Sequence, residues 1–333
     1  MLGFALFGCG RIGKMHGDNL ARHAKARLVV AYDVQAEAAD AVAAKHGCKV
    51  ARTVEDALAT AGVDAVLIAS STDTHVQLIT EAAKAGKAVL CEKPIDLDIA
   101  KVEQCRKDIA AYDVPLMIGF NRRFDPSFAA LKAALDRGEI GDVRQVIVTS
   151  RDPEVPPVAY MQVAGGLLRD MTIHDFDLAR FLLPEEPVEV AAMASALIDP
   201  TVRELGDHDT AAIILRTAGG RQAVITNYRK ATYGYDQRIE VVGELGMLQA
   251  HNRRPTTLER WTAKTTAAKD PLLHFFIERY REAYVRELDA FIACLEKGTP
   301  CSPGFEDGKK ALLLANAAYE SIATGKVMRL APG

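Results

Sequence analysis

Two patterns of apolar residues alternate along the first third of the chain. Between residues 3 and 118, short runs of branched side chains are separated by longer segments with helical spacing, such as 35–46 and 74–85. The short runs predict buried β-strands at 4–7, 27–32, 65–69, 88–92 and 115–119. Strands that alternate with helices form parallel sheets. The pattern therefore predicts a doubly wound α/β domain over residues 1–121.

The pattern changes after residue 121. A helix is predicted at 127–137, and strand-like runs follow at 142–151, 188–196, 209–217, 221–229, 237–243 and 246–250. The last five runs have no helix between them, which favours antiparallel pairing. Two helices, 275–297 and 305–325, close the chain and are able to pack back on the first domain. We therefore predict a second domain, 122–333, of the α+β class, with an open, mostly antiparallel sheet and flanking helices.

Composition narrows the range of partners. A length of 333 residues with 49% hydrophobic content fills two cores, and a net charge of -3 offers no basic surface for nucleic acid or a membrane. A small molecule is the expected partner. The six cysteines are scattered without a C-x-x-C pair, which argues against zinc and disulfides and favours the cytoplasm. The apolar first residues are expected to form a strand rather than a signal peptide.

A glycine-rich loop follows the first predicted strand. It has the G-x-G-x-x-G pattern at the start of a predicted helix, and an acidic residue ends the second strand twenty residues later. Such glycines allow a pyrophosphate to approach the helix N-terminus, and the acid accepts hydrogen bonds from a ribose. No arginine follows that acid to bind a 2′-phosphate, so NAD is favoured over NADP. The predicted cofactor contacts are Gly8, Gly10, Arg11, Ile12, Gly13 and Asp33.

Further candidates follow two other strands of the predicted parallel sheet. Ser71, Thr72 and His75 come after the strand at 65–69, where they could contact the cofactor. The alternative is that Thr72 or Asp73 caps a helix. Glu92 ends the strand at 88–92, and Lys93 follows it. Because ligands bind at the carboxyl ends of such strands, Lys93 is expected to be a functional ammonium rather than a surface charge.

Asp170 and His174 lie four residues apart in a segment, 165–183, that has helical spacing. One helical turn separates them, so a carboxylate can orient an imidazole that acts as a general base. The alternative is an ordinary core histidine. Asp175 and Asp177 are close in sequence, but they project from other parts of the helix, so no metal site is predicted.

The chain resembles the Gfo/Idh/MocA family of sugar and polyol dehydrogenases. The resemblance is carried by EKP at 92–94, GFNRRFDP at 119–126 and the D-x-x-x-H pair, and it spans nearly the whole chain. Within the family it is nearest to the bacterial inositol 2-dehydrogenases, through the segments 10–16, 169–182 and 233–244. It implies a Rossmann domain followed by a substrate-binding domain whose open sheet carries the contacts of a homotetramer.

The resemblance also implies a reaction and a set of site residues. The expected reaction is NAD-dependent oxidation of the axial hydroxyl of myo-inositol to scyllo-inosose. Its catalytic residues would be Lys93, Asp170 and His174, which also bind substrate, with Glu92 and Lys93 beside the cofactor. Arg123 and either Tyr233 or Tyr235 would hold the polyol. The alternatives are another substrate, such as scyllo-inositol or glucose, and an NAD-sensing protein without catalysis.

Overall fold

The structure is a computed structural model that describes residues 1–330, and it divides into two units. The first unit comprises Met1–Asn121 together with Tyr284–Leu312. The second comprises Arg122–Ala283 and the residues from Leu313 onward. The last three residues of the predicted domain 122–333 lie outside the described residues. No helix within residues 1–330 is long and apolar enough to cross a membrane.

A six-stranded parallel sheet forms the centre of the first unit, in the order β3-β2-β1-β4-β5-β6. The strands are β1 (Leu2–Phe7), β2 (Ala26–Tyr32), β3 (Lys49–Val50), β4 (Ala65–Ile68), β5 (Ala88–Glu92) and β6 (Leu116–Gly119). The helices between them are α1 (Arg11–Arg22), α2 (Ala36–His46), α3 (Val54–Ala59), α4 (His75–Lys84) and α5 (Ile99–Ile109). The predicted doubly wound parallel sheet is confirmed.

The strand order of this sheet reverses between β1 and β4. In such sheets a ligand binds outside the carboxyl ends of the strands at the point of reversal. The chain leaves β1 at Phe7 and β4 at Ile68, so the glycine-rich loop and the segment that contains Ser71 both begin at that point.

A seven-stranded sheet forms the centre of the second unit, in the order β12-β11-β7-β10-β9-β8-β15. Its strands are β7 (Val143–Arg151), β8 (Pro187–Ser195), β9 (Thr210–Thr217), β10 (Gln222–Tyr228), β11 (Asp236–Gly243), β12 (Met247–Ala250) and β15 (Met328–Arg329). Outside this sheet, β13 (Glu259–Arg260) pairs with β14 (Ala268–Lys269). The helices that begin after Asn121 are α6 (Pro126–Asp136), α7 (Val158–Met161), α8 (Gly166–Asp170), α9 (Thr172–Leu182), α10 (Pro200–Glu204), α11 (Phe276–Arg279), α12 (Arg281–Lys297) and α13 (Phe305–Thr324). Most of α12 and the start of α13 belong to the first unit.

The mostly antiparallel sheet of the second unit is confirmed, with one parallel pair, β7 and β10. The expectation that no helix interrupts the later strands is wrong at one place, because α10 lies between β8 and β9. Two predicted helices are each divided in the structure. The segment 165–183 contains α8 and α9, which are separated by Met171, and the segment 275–297 contains α11 and α12, which are separated by Tyr280. Met171 keeps backbone angles in the right-handed helical region.

Candidate active site

The glycine-rich loop of the first unit leaves room for a ligand at one position and none at two others. Gly8 has φ +89°, and a Cβ there would lie 2.4 Å from the Ser70 backbone nitrogen. A Cβ on Gly13 would lie 1.9 Å from the Gly8 carbonyl oxygen. A Cβ on Gly10 would meet nothing within 4 Å. Gly8 and Gly13 therefore allow the tight turn and the close packing of α1, and Gly10 leaves the helix N-terminus accessible to a pyrophosphate.

Asp33 lies directly beside this loop. Its carboxylate accepts hydrogen bonds from the backbone N–H groups of Cys9 at 2.6 Å and Gln35 at 2.8 Å. These bonds fix a negative charge at the edge of the loop, where the ribose of a dinucleotide binds in such folds. The neighbouring Cys9 thiol is buried, and burial raises its pKa to about 12, so it stays protonated. The loop and Asp33 together fit NAD.

The segment after β4 contains the other cofactor candidates. Ser71 is exposed and Thr72 is half-buried in a short 3-10 turn. Capping by Thr72 is not observed, because α4 has Thr74 at its N-cap and no side-chain capping bond. His75 is buried, and its Nδ1 and Nε2 lie 2.7 Å and 3.2 Å from the carbonyl oxygens of Pro94 and Ser70. Burial lowers the pKa of His75, which favours the neutral ring. His75 thus joins this segment to the residues after β5, and its cofactor contact stays a prediction.

Glu92 and Lys93 lie at the carboxyl end of β5, on the same edge of the sheet. Lys93 is half-buried, directly after the strand, as the sequence predicts. The Glu92 carboxylate, by contrast, turns towards α1, where its Oε1 lies 2.8 Å from His16 Nε2. Glu92 is therefore part of a cluster of ionisable groups, and its contact with the cofactor stays a prediction.

Asp170 and His174 lie in the second unit, at the end of α8 and in the first turn of α9. The Asp170 carboxylate accepts hydrogen bonds from the Tyr160 hydroxyl and from Arg229 Nη2, both at 2.7 Å. Arg229 is 1% exposed, so its charge is applied to Asp170 with little screening by solvent. His174 is half-buried. This carboxylate is thus held in one orientation, four residues before the imidazole.

Two arginines form ion pairs with the two aspartates that follow His174 on α9. Arg122 Nη1 lies 2.6 Å from Asp175 Oδ1, and both side chains are buried. Arg123 donates to both carboxylate oxygens of Asp177, at 2.8 Å and 2.6 Å. Asp175 and Asp177 therefore neutralise arginines in the protein interior. The predicted role of Arg123 in substrate binding stays a prediction, and the structure adds a bidentate ion pair to that side chain.

The two tyrosine candidates have different surroundings. Tyr233 is half exposed, and its hydroxyl lies 2.9 Å from both Arg151 Nη1 and Asp236 Oδ2. Tyr235 is buried, its hydroxyl lies 3.4 Å from Arg122 Nη2, and burial raises its pKa well above the usual value. The structure places Tyr233 where a ligand from solvent can reach it and Tyr235 in the polar core. Neither substrate contact is tested by this arrangement.

Sequence reasoning missed the groups that surround Asp170. Tyr160 and Arg229 are far from it along the chain, and no spacing rule connects them to it. Asp152, in the loop after β7, belongs to the same group of charges. Burial raises the pKa of Asp152 to about 6 against the opposing effect of Arg229. The sequence offers one indication of these residues, because Asp152 and Arg229 each come directly after the end of a strand.

Comparisons with known proteins identify the family of the chain. Residues 2–120 match the model of an oxidoreductase family with an NAD-binding Rossmann fold, and residues 128–249 match the GFO/IDH/MocA C-terminal domain. The chain belongs to the GFO/IDH/MocA family. It is therefore an NAD-dependent oxidoreductase that acts on alcohol groups, and NAD is its cofactor.

Several family members are similar over nearly their whole length. An inositol 2-dehydrogenase from Rhizobium meliloti is 51% identical, over 98% of this chain and 99% of its own. The crystal structure of a myo-inositol dehydrogenase from Corynebacterium glutamicum superimposes with a TM-score of 0.96 at 44% identity, covering 100% of both chains. A scyllo-inositol dehydrogenase from Lactobacillus casei, solved with bound NAD(H) and scyllo-inositol, gives 0.91 at 29% identity, covering 99% of this chain and 98% of its own.

Proposed function

We propose that the chain is an inositol 2-dehydrogenase that oxidises the axial hydroxyl of myo-inositol and releases scyllo-inosose. The observation that carries the proposal is the placement of Asp170, held by Arg229 and Tyr160, one turn before His174. The relative from Rhizobium meliloti supports the choice of an inositol as substrate.

The reaction needs separate acceptors for a hydride and a proton. Bound NAD supplies the hydride acceptor. His174, whose ordinary pKa of about 6.5 suits a base near neutral pH, takes the hydroxyl proton as the C–O bond becomes C=O. Asp170 orients the imidazole and stabilises its protonated form. Lys93 donates a hydrogen bond to the reacting oxygen, where negative charge develops.

The remaining predicted contacts bind and orient the polyol. Arg123 and Tyr233 or Tyr235 are proposed to donate to hydroxyls away from the reacting carbon. The six cysteines are free thiols in the structure, which agrees with a proposed location in the cytoplasm. We also propose a homotetramer that forms through the open face of the seven-stranded sheet.

The test is a substrate panel with purified protein and NAD, followed by NADH absorbance. We expect myo-inositol to give the highest kcat/KM, ahead of scyllo-inositol and glucose. His174→Ala and Lys93→Ala should each lower kcat by about 100-fold or more, while NAD binding, measured by calorimetry, is retained. Matched controls are the exposed residues His251 and Lys84, each changed to Ala. A scyllo-inositol preference would reassign the substrate, and NAD binding without turnover of any polyol would support the sensing alternative.

A further inference from the structure

Three ionisable side chains of the first unit, two of them buried and one half-buried, converge at a place that the proposed reaction does not use. They are His16 on α1, Glu92 at the end of β5 and Glu287 on α12, and one nitrogen or oxygen atom of each lies within 4.8 Å of the others. His16 is 1% exposed, and Glu287 is completely buried. His16 Nε2 and Glu92 Oε1 are 2.8 Å apart, the length of a hydrogen bond.

Glu287 is the unusual member of this cluster. Both of its carboxylate oxygens are buried, and neither has a hydrogen-bond partner among residues 1–330. An ionised carboxylate in such a place is strongly disfavoured, because it has lost its hydration and faces the negative charge of Glu92. Burial, followed by the charge of Glu92, raises the pKa of Glu287 well above the usual value. A proton converts Glu287 into a neutral O–H donor.

Among the described residues, Glu92 is a nearby carboxylate that can accept a hydrogen bond from that donor. The ionisable groups near Glu287 include His16 from α1 and Glu92 from β5. Tyr284, three residues earlier on α12, has its ring perpendicular to the His16 ring, with the two centroids 5.5 Å apart. His16 Nε2 and Glu92 Oε1 lie within hydrogen-bond distance, and an ionised Glu92 accepts the bond from the ring N–H. Glu92 is therefore the carboxylate able to accept a second hydrogen bond, from Glu287. Two carboxyl groups that share one proton are the stable arrangement for a buried pair.

We propose that Glu287 is protonated in the working enzyme and that His16, Glu92 and Glu287 form a proton-bridged cluster that positions Lys93. Glu92 precedes Lys93 directly, and His16 lies on the helix that begins at the glycine-rich loop. A fixed Glu92 side chain holds the end of β5 against α1, and thereby sets where the Lys93 ammonium is presented. Glu287 is a positioning residue in this scheme, and its role rests on the catalytic role proposed above for Lys93.

A divalent cation is the competing occupant of the cluster, since two carboxylates and an imidazole are suitable ligands. The 2.8 Å contact between His16 and Glu92 favours the proton, because it is already the distance of a bonded donor and acceptor. Replacing Glu287 with glutamine distinguishes a bound proton from a bound cation. Glutamine reproduces a protonated carboxyl group, but it removes a charged ligand from a metal site.

The first experiment compares the thermal stability of wild type, Glu287→Gln and Glu296→Gln between about pH 5 and pH 9. A carboxyl group whose pKa is raised in the folded state contributes stability that is complete below the unfolded pKa and is lost as pH rises towards the folded pKa. Wild-type Tm should therefore fall relative to Glu287→Gln as pH increases. Glu296, which is on the same helix and pairs with Lys25 at the surface, is the control and should follow wild type. Parallel Tm curves for wild type and Glu287→Gln would overturn the proposal.

Infrared spectroscopy at about pH 8 supplies a second measurement that needs no substrate. Burial raises the pKa of Asp152 only to about 6, so Asp152 is ionised at that pH, and comparison with Glu287→Gln assigns the carbonyl stretch of a protonated carboxyl group to Glu287. The band should be present in wild type and absent from Glu287→Gln. If that variant does not fold, the wild-type spectrum alone decides, and absence of the band contradicts the proposal. If purified wild type contains stoichiometric metal and Glu287→Gln does not, the cluster binds a cation and the proposed proton is excluded.

Kinetics then test positioning. Glu287→Gln should keep kcat within about twofold of wild type, whereas Glu287→Leu should lose about tenfold or more with little change in NAD affinity. Full activity of folded Glu287→Leu would show that the cluster does not position Lys93. If wild type oxidises no polyol, the proposed function fails by itself, and the stability and infrared results still decide the protonation of Glu287.

Discussion

The Asp170 carboxylate shows how single contacts prepare this chain for proton transfer. Arg229 and the Tyr160 hydroxyl each donate to it at 2.7 Å. A carboxylate bound by a buried guanidinium remains ionised and keeps one orientation, as a group that stabilises a protonated imidazole must do. Arg229 is therefore expected to act through Asp170.

Arg229→Met should lower kcat on the order of 10- to 100-fold, because Asp170 loses the donor that fixes its direction. NAD affinity should be unchanged, since the nucleotide loop belongs to the other unit. Arg137→Met removes an exposed arginine that pairs with Glu139, and it serves as the control in steady-state kinetics and calorimetry. A wild-type kcat in folded Arg229→Met would show that Asp170 does not need this partner.

Asp33→Ser should shift cofactor preference towards NADP on the order of tenfold in the ratio of kcat/KM values. The carboxylate repels a ribose 2′-phosphate, and serine removes that charge. Weaker NAD binding is also expected, because Asp33 accepts the Cys9 N–H and stabilises the loop. Asp40→Ser, at an exposed position on α2, is the control. An unchanged preference would show that another group selects the cofactor.

The candidate site could be predicted from sequence where its signals are local. Gly8 and Asp33 belong to one strand-loop-helix unit, and Asp170 and His174 are one turn apart, so short spacings suggested them. Arg229 and Glu287 could not be found this way. Their partners are distant in sequence, and only the folded chain shows that each is buried beside a carboxylate.

At the scale of elements, the position of α9 depends on buried charge. Asp175 is paired with Arg122 and also accepts a hydrogen bond from Asn227 on β10 at 2.7 Å. Thr172, at the start of the helix, donates to the same asparagine at 2.8 Å. These contacts fix the first turn of α9, which carries His174, against the seven-stranded sheet.

Asp175→Ala should destabilise the protein by about 3–5 kcal/mol, because Arg122 would be left buried without its counter-charge. Urea unfolding measures the loss. The exposed Asp142→Ala is the control and should change stability by less than about 0.5 kcal/mol. Arg122→Met combined with Asp175→Leu should recover part of the loss, since no unpaired charge remains. Equal stability of Asp175→Ala and wild type would show that the pair contributes nothing to folding.

The elements themselves followed the apolar pattern where they were long. β3, β13, β14 and β15 were missed, because strands of two residues are too short to show a period of two. The parallel pairing of β7 with β10 was also missed, since pairing between distant strands leaves no local signal. The division between α8 and α9 at Met171 was hidden because apolar helical spacing continues through it.

At the scale of the whole molecule, the seven-stranded sheet exposes large apolar side chains on one face. Ala211, Ile213 and Leu215 of β9 are buried, whereas Ile214 between them is half exposed. Met193 on the neighbouring strand is 81% exposed. Register places Met193 opposite Ala212, on the same face as Ile214. Apolar side chains grouped on one open sheet face are typical of a subunit interface.

Ile214→Glu should therefore dissociate the proposed tetramer, because assembly would bury several copies of a new charge in an apolar contact. Light scattering coupled to gel filtration should give four times the chain mass for wild type and a smaller mass for the variant. Tyr112→Glu, at an exposed aromatic residue of the first unit, should leave the mass unchanged. A folded Ile214→Glu protein that remains tetrameric would exclude this face as the interface, whereas a monomeric wild type would exclude the assembly itself.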